Sequence, residues 1–565
     1  MTGHGRERRR RLVRRLLPAL AALSLAVGLL VGAFGTPTSV RAGREFARAW
    51  ERGDIGAMYA LLTDDAKQRT SRAEFEAAYR TDAITATLRR IRIDRIRHRG
   101  EGVELTVAAL TRVFGTVRHA VEIPVSGGNV AWDTYMTFPG KPPGARLTRQ
   151  TTAPQRASIL ARDGRVIATG PASARTQPGG PVAQSVAGGL GQPQSQAARD
   201  ALEARGFPGD TLVGTSGLER IAERRVAGTP GGLLFAGGVM LASTEPRPAN
   251  PVRTTIDLDI QEAAVAALAG RYGGVAALDA RTGQVRALAG IAFSGPQPPG
   301  STFKIVTAAA ALRAKLVRPT TTFPVDTKAV IDGVDLENAN GESCGGTFVQ
   351  SFAHSCNSVF APLGVRVGAR RLVAEAERLG WNRTPSIPGA LPSTIPPAAE
   401  IDSPLAVGST AIGQGKVLAT PLQMASVAQT VAANGVMTGP RVFPDEPAVR
   451  RRVLSRRVAR QLERMMIDVV AYGTGQSASL APVKVAGKTG TAELTTTVKK
   501  EGQTPPLEEG VDAQPPGYNT DAWFTAYAPV RRPRLAVCVL FVHGGAGGST
   551  AAPAARDVLR AGLRD

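Results

Sequence analysis

Cysteine is nearly absent: Cys344, Cys356 and Cys538 are the three in 565 residues. That excludes a disulfide-rich scaffold and a cysteine-based metal cluster. Cys344 and Cys356 lie close in sequence and are either a pair, if their surroundings are oxidising, or two free thiols. Cys538, in "LAVCVLFV", reads as a buried strand residue. Histidine is as scarce, with five residues (His4, His98, His119, His354 and His543) and no HExxH. A zincin is therefore not expected, and neither a metal nor a cofactor is called for. No G-x-S-x-G elbow occurs, so a Ser-His-Asp hydrolase lacks its usual nucleophile. "HGGAGGS" at His543 has the glycines of a phosphate loop but not its lysine, and reads as a turn or a site rim. Aromatic residues make up 5% of the chain. They do not interleave with the arginines, so a net charge of +23 does not signify nucleic-acid binding. The charge suits an anionic surface such as a cell envelope, or reflects an arginine bias. Lysine is also sparse, about ten residues, so each placed lysine carries information.

What is present begins with a basic tail, residues 1–15, followed by the uncharged run "LLPALAALSLAVGLLVGAF" from Leu16 to Phe34. About 19 residues at 1.5 Å each span roughly 28 Å, close to the hydrocarbon thickness of a bilayer. Residues 16–35 read as an uncleaved signal anchor, with a cleaved signal peptide as the alternative. The basic flank stays cytoplasmic and everything after it is exported.

Residues 43–80 read as paired amphipathic helices, with Ser71 and Glu74 forming a capping box. The alternating run from "TLRRIRIDRIRHRGEG" to "TYMTFP" is a strand meander. Together they make a small α+β module over 41–140, with His98 and His119 on its surface. Residues 150–251 form a second, irregular β-rich module. It includes a strand pair about "RDGR", a Gly/Pro/Gln/Ser-rich stretch at 176–196 read as linker, and a short helix in "TSGLERIAERRVAG". From 252 to the C-terminus the texture is α/β: a capped helix over 257–268, a hairpin about "RTG", a helical middle, then strands at "VKVAGKTGTAEL", "DAWFTAYAPV" and "RLAVCVLFVHG" and a terminal helix. Strands at both ends of this region build one sheet around the helices.

Three short motifs stand in order within it: Ser301-Thr302-Phe303-Lys304, Ser355-Cys356-Asn357 and Lys488-Thr489-Gly490. A serine hydroxyl needs a base within reach, and on a helix positions i and i+3 share a face, which brings Lys304 to Ser301. Lysine is a base only when neutral, and both burial and a second cation, Lys488, would lower its pKa. The serine's backbone N–H would form half of an oxyanion hole, with that of Thr491 as the other half. Ser355 would relay a proton between the lysines and the leaving amine. Asn357 suits an amide substrate. Lys488 and the hydroxyls of Thr489 and Thr491 suit a terminal carboxylate, and Gly490 lets a substrate strand approach closely. His354, beside the second motif, reads as packing.

The motif set, with the flanks "TTIDLDIQEAA", "GGVAALDARTGQVRALA", "PPGSTFKIVTAAAAL", "FAHSCNSVFAPLG" and "VAGKTGTAE", resembles the transpeptidase domain of penicillin-binding proteins. "APQRASILARDGRVIA" and "GTSGLERIAERRVAGTPG" resemble the non-catalytic pedestal of the class B members. "RAWERGDIGAMYALLTDDAK" resembles the nuclear-transport-factor-like domain of the methicillin-resistance type. The resemblance implies a multidomain α+β chain. A penicillin-binding/serine β-lactamase-like domain, its sheet flanked by helices, follows a cone-like α+β domain and the pedestal. It implies a monofunctional, membrane-anchored peptidoglycan D,D-transpeptidase. Ser301 would be acylated, Lys304 would be the base, and Ser355, Asn357, Lys488, Thr489 and Gly490 would complete the motifs. Stem peptides and β-lactams would be its ligands, and cell-wall synthesis proteins such as a glycosyltransferase its partners. The competing readings are a serine β-lactamase, a D,D-carboxypeptidase, or a non-catalytic β-lactam sensor or divisome scaffold.

Overall fold

The structure is a computed structural model that describes residues 38–493 and 519–564. The expected basic tail and anchor (1–35), and most of the polar stretch after the third motif, lie outside the described residues. Among the described residues no helix is long and apolar enough to cross a membrane. The chain forms two compact units. One takes residues up to Pro154, Pro193–Thr211 and Gly228–Arg247; the other takes Gln155–Gln192, Leu212–Ala227 and Pro248 onward. The stretch 150–251 thus supplies segments to both.

In the first unit, four helices precede the sheet: α1 (Thr38–Arg52), α2 (Ile55–Ala60), α3 (Asp64–Arg69) and α4 (Arg72–Thr85). α4 starts at the capping box foreseen from sequence, with Ser71 and Glu74 satisfying each other's backbone N–H. Strands β1 (Leu88–Arg99), β2 (Gly102–Thr111) and β3 (Thr116–Ile123) form an antiparallel meander with β2 central. The core is aromatic: Phe75 packs 5.0 Å from Tyr79 and 4.9 Å from Trp132, with Trp50 edge-on to Tyr79 at 6.0 Å. β1, at the sheet edge, carries the arginines outward. A second sheet joins β4 (Leu147–Thr152), β5 (Gly231–Ala236) and β6 (Val239–Thr244), with β5 in the middle. His98 and His119 are exposed, as expected.

The second unit is built on one five-stranded antiparallel sheet. Helix α5 (Leu258–Leu268), capped by Asp257, leads into the hairpin β7 (Gly273–Asp279) and β8 (Val285–Gly290). Four helices of the middle matter for the site: α6 (Lys304–Arg313), α7 (Phe348–Ala353), α8 (Asn357–Val367) and α9 (Pro421–Ala432). After α10 (Arg456–Ala471) come β9 (Ala486–Glu493), β10 (Thr520–Ala528) and β11 (Leu535–Phe541), then α11 (Ala551–Ala561). The strand order is β8–β7–β11–β10–β9, so strands from the two ends of this region do share one sheet. Its strands are buried on both faces, which is why "RLAVCVLFV" is continuously apolar. Val275, Ala277, Val537 and Val539 pack with α5 and α11 on one face. Ala276, Leu278, Ala536 and Cys538 pack with the helical middle on the other.

One element departs from the sequence reading. The glycine- and proline-rich stretch at 176–196 contains a helix, Gly180–Ala187, started by Pro181 in its first turn. Its Ala183, Val186 and Ala187 are buried in the main core, so packing overrides the loop-like composition.

A candidate acyl-transfer site

Ser301 is placed by two glycines. Gly300 holds a φ of +50° and donates its N–H to Gly413 O at 3.0 Å. A Cβ on Gly300 would meet Thr491 O at 2.7 Å, and one on Gly413 would meet Gly300 O at 2.0 Å. Only bare backbone lets this turn press against the third-motif strand. The serine does not begin an α-helix, as its motif suggested. It sits in a 3-10 turn, Gly300–Phe303, and α6 starts at Lys304. Three residues make one turn of a 3-10 helix, so positions 301 and 304 still project to one side. Ile305 through Leu312 are core, as expected.

Lys304 is fully buried. Its Nζ donates to the Ser355 carbonyl at 2.6 Å and to Asn357 Oδ1 at 2.6 Å, and lies 3.3 Å from Ser355 Oγ. Among the described residues none of its hydrogen bonds goes to Ser301. Asn357 is oriented by its own amide, whose Nδ2 donates to Glu337 O at 2.6 Å and so turns Oδ1 to the lysine. A neutral amine has two N–H bonds and one lone pair. The two carbonyl oxygens accept the two N–H bonds, which leaves the lone pair for a hydroxyl. Burial holds the Lys304 pKa well below the ordinary lysine value, and the charge of Lys488 lowers it further.

Ser355 lies at the break between α7 and α8, with a φ of +62°. A non-glycine residue there is uncommon and held by its surroundings. The conformation turns its carbonyl to Lys304 while its hydroxyl accepts from Lys488 Nζ at 2.8 Å. Cys356, the next residue, is bonded to Cys344 with a Cα separation of 5.4 Å, which resolves the pairing the sequence left open. Exposed His354 caps α7 and leans on Tyr472, with ring centroids 5.8 Å apart.

Lys488, also fully buried, lies on β9, the edge strand. Its Nζ reaches Thr489 O at 3.1 Å, and burial brings its pKa down to about 7. Phe360 lies 5.5 Å from Lys304 Nζ and Phe352 lies 5.6 Å from Lys488 Nζ. These rings keep water from both amines, while their faces favour the charged forms more weakly than burial opposes them. Thr491 O lies at the Gly300 turn. In an extended strand N–H and C=O of one residue point to the same side, so Thr491 N–H also points off the edge that is unpaired among the described residues, on the side of the Gly300 turn. Gly490 pairs with Trp523 of β10, and a Cβ there would strike Pro299 O at 2.8 Å.

Two contributors escaped the motif reading. Thr474 shares a 2.6 Å hydrogen bond between hydroxyls with Thr489, and its N–H donates to Ala353 O at 3.1 Å. The only sequence signal was the turn "YGTGQ" after α10. Gly547, in the glycine loop after His543, donates to Thr491 Oγ1 at 3.3 Å. That loop does rim the site. Among the described residues no three His, Cys, Asp or Glu side chains are grouped to hold a metal.

A serine on a glycine-set turn, two buried lysines joined through a second serine and a strand edge unpaired among the described residues together make a candidate site for serine acyl transfer. The sequence comparison agrees. Residues 273–560, just over half of the chain, match the family described as penicillin binding protein transpeptidase domain, and the chain belongs to it. It is 36% identical over 301 residues to the peptidoglycan D,D-transpeptidase PbpA of Mycolicibacterium smegmatis, covering 48% of this chain and 56% of that protein. The chain therefore spans about half the length of the curated relatives it matches. Among solved structures it is similar to penicillin-binding protein A of M. tuberculosis in its penicillin G acyl-enzyme complex, at 28% identity and a TM-score of 0.55. That match covers 73% of this chain and 100% of that one. It is also similar to PBP2 of Pseudomonas aeruginosa in complex with WCK 5153, at 25% identity and a TM-score of 0.60. That match covers 74% of this chain and 97% of that one.

Proposed function

We propose that the protein is a peptidoglycan D,D-transpeptidase that is acylated by β-lactams at Ser301. The observation that carries the reading is the meeting of Lys304 and Lys488 on the Ser355 hydroxyl beside the Ser301 turn. Ser301 Oγ attacks the carbonyl carbon of the penultimate D-Ala of a stem peptide, and neutral Lys304 takes its proton. The carbonyl oxygen becomes an oxyanion facing the N–H groups of Ser301 and Thr491. Its collapse breaks the C–N bond. The leaving amine receives a proton through Ser355, supplied by the lysines, and D-Ala departs. An amine of a second stem attacks the ester, and Ser301 recovers its proton. Charged Lys488, with Thr489 and Thr491, holds the terminal carboxylate. Gly490 admits the substrate backbone along the β9 edge, and Asn357 fixes Lys304. A β-lactam follows the first half of this course, and its opened ring stays on the serine. The names of the relatives support this course.

The same reading takes 1–15 as a cytoplasmic tail, 16–35 as a single-pass anchor, 41–140 as a nuclear-transport-factor-like domain, 150–251 as a pedestal and 252–565 as the transpeptidase domain. The catalytic part would then lie outside the cell membrane, within reach of glycosyltransferase partners. The charge and length of the N-terminal run support the anchor, and the helices followed by the β1–β3 meander support the domain type.

Labelled penicillin followed over time tests the activity. Stable label on the wild type and none on Ser301→Ala support it; turnover of the label within seconds makes the protein a β-lactamase instead. Incubation with a pentapeptide donor and an amine acceptor should yield free D-Ala and a cross-linked dimer.

A further inference from the structure

The first unit holds a cavity of about 540 Å³ between α1, α4 and the start of β1. That is the size range of small-molecule sites. Trp50 and Tyr79, with Leu88 and Ile91, give it an apolar wall, while Arg52, Arg80, Arg89 and Arg90 stand around it. Among the described residues none of these four guanidinium groups has an ion-pair or hydrogen-bond partner. Of the two carboxylates of the lining, Glu76 pairs with Arg72 at 2.9 Å, while Glu51 accepts the Ile93 N–H at 3.3 Å and keeps its charge, one against four guanidinium groups. Thr137, also in the lining, belongs to a closed set in which its hydroxyl and Lys141 Nζ, the latter at 2.6 Å, both donate to Asp82. The uncompensated charge of the cavity is therefore positive.

We infer that this cavity is a binding site for a sugar-sized organic anion, a saccharide carrying carboxylate or phosphate groups. Guanidinium forks match carboxylate and phosphate oxygens in pairs. A volume of about 540 Å³ is more than an inorganic ion fills, and half-buried Leu88 in the lining offers apolar contact to a sugar ring. The pocket is an open recess between helices and strand, not a flat face, which favours a discrete ligand over a lipid surface. The inference concerns the first unit and does not rest on the acyl-transfer reading.

Calorimetric titration of the full chain in detergent at low salt tests it, with digalacturonate, glucose 1,6-bisphosphate, maltose and sodium sulfate as probes. At least one anionic sugar should bind saturably and weaken as salt rises, while maltose and sulfate bind at least tenfold more weakly. The two anions distinguish carboxylate from phosphate recognition. Arg89→Glu with Arg90→Glu should weaken binding at least tenfold. Arg52→Gln with Arg80→Gln, on the helices, guards against a folding defect in the strand variant. Arg97→Glu, on the same strand but outside the cavity, should bind as wild type. The inference is overturned if neither anionic sugar binds at millimolar concentration, if maltose or sulfate binds as well, if anionic vesicles compete at equal charge, or if Arg97→Glu loses as much as the cavity variants.

Discussion

Lys304 and Lys488 meet at one oxygen: their Nζ atoms lie 3.3 and 2.8 Å from the Ser355 hydroxyl. Two buried cations on one hydroxyl are tolerable only if at least one amine is neutral, and that neutrality is what a lysine base requires. Each of the three motifs thus supplies a member of one hydrogen-bonded cluster, Lys304, Ser355 with Asn357, and Lys488, with the Ser355 hydroxyl at its junction.

Removal of the junction should separate the lysines. In Ser355→Ala the second-order rate of acylation by penicillin should fall by about 10² to 10⁴, the usual range for loss of positioned proton transfer. Label should still attach to Ser301. Stopped-flow acylation measures the rate, and a fall of less than about threefold would remove Ser355 from the proton path.

The pH profile follows from the two amines. Lys304 must be neutral to accept a proton, so acylation falls as pH drops through its depressed pKa. Lys488 must be charged to hold a carboxylate, so substrate capture falls as pH rises through about 7. A plot of kcat/KM against pH for a carboxylate-bearing donor should show both limbs. Lys488→Arg stays charged and should lose the alkaline one. Persistence of that limb in the variant would assign it to another group.

The Cys344–Cys356 bond closes a loop of 12 residues next to Ser355. Loop-entropy reasoning gives it about 3 kcal/mol of stability. The double Ser variant should lose that amount in urea unfolding. It should also acylate more slowly, because the bond pins the residue between Ser355 and Asn357. Unchanged acylation at unchanged stability would show that the bond does not hold the second motif.

Asp521, at the start of β10, is fully buried, and its Oδ2 is unpartnered among the described residues. Burial raises its pKa to about 6, while the His543 N–H, donated to Oδ1 at 3.1 Å, opposes the rise. The folded state therefore holds this proton more tightly than the unfolded one. Its contribution is full below about pH 4 and is lost as pH rises through about 6, up to about 3 kcal/mol. Chemical denaturation from pH 4 to 7 should show this decline in the wild type and a flatter curve in Asp521→Asn. Parallel curves would contradict the burial account.

Much of this was legible in the sequence, for local reasons. Ser301 and Lys304 are three residues apart, Lys488 and Thr489 are adjacent, and continuous apolar runs marked sheet strands buried on both faces. The grip of Asn357 and the Ser355 carbonyl on Lys304 was not legible, because it joins positions 51 and 53 residues apart through a positive-φ residue. Thr474 escaped for the same reason: its partner Thr489 lies on another element, and a lone threonine between glycines reads only as a turn. The 3-10 geometry at Ser301 depends on the Gly300–Gly413 contact across more than a hundred residues. The helix Gly180–Ala187 is made by burial that composition does not encode.

The central claim is that Ser301, served by Lys304, carries the acyl group. Intact-mass and peptide-mapping spectrometry after brief exposure to penicillin G tests it most directly. One added penicillin on the peptide containing Ser301, absent from Ser301→Ala and slow to form in Lys304→Ala, is the predicted result. An adduct on any other residue, or one formed at the wild-type rate in Lys304→Ala, would contradict it.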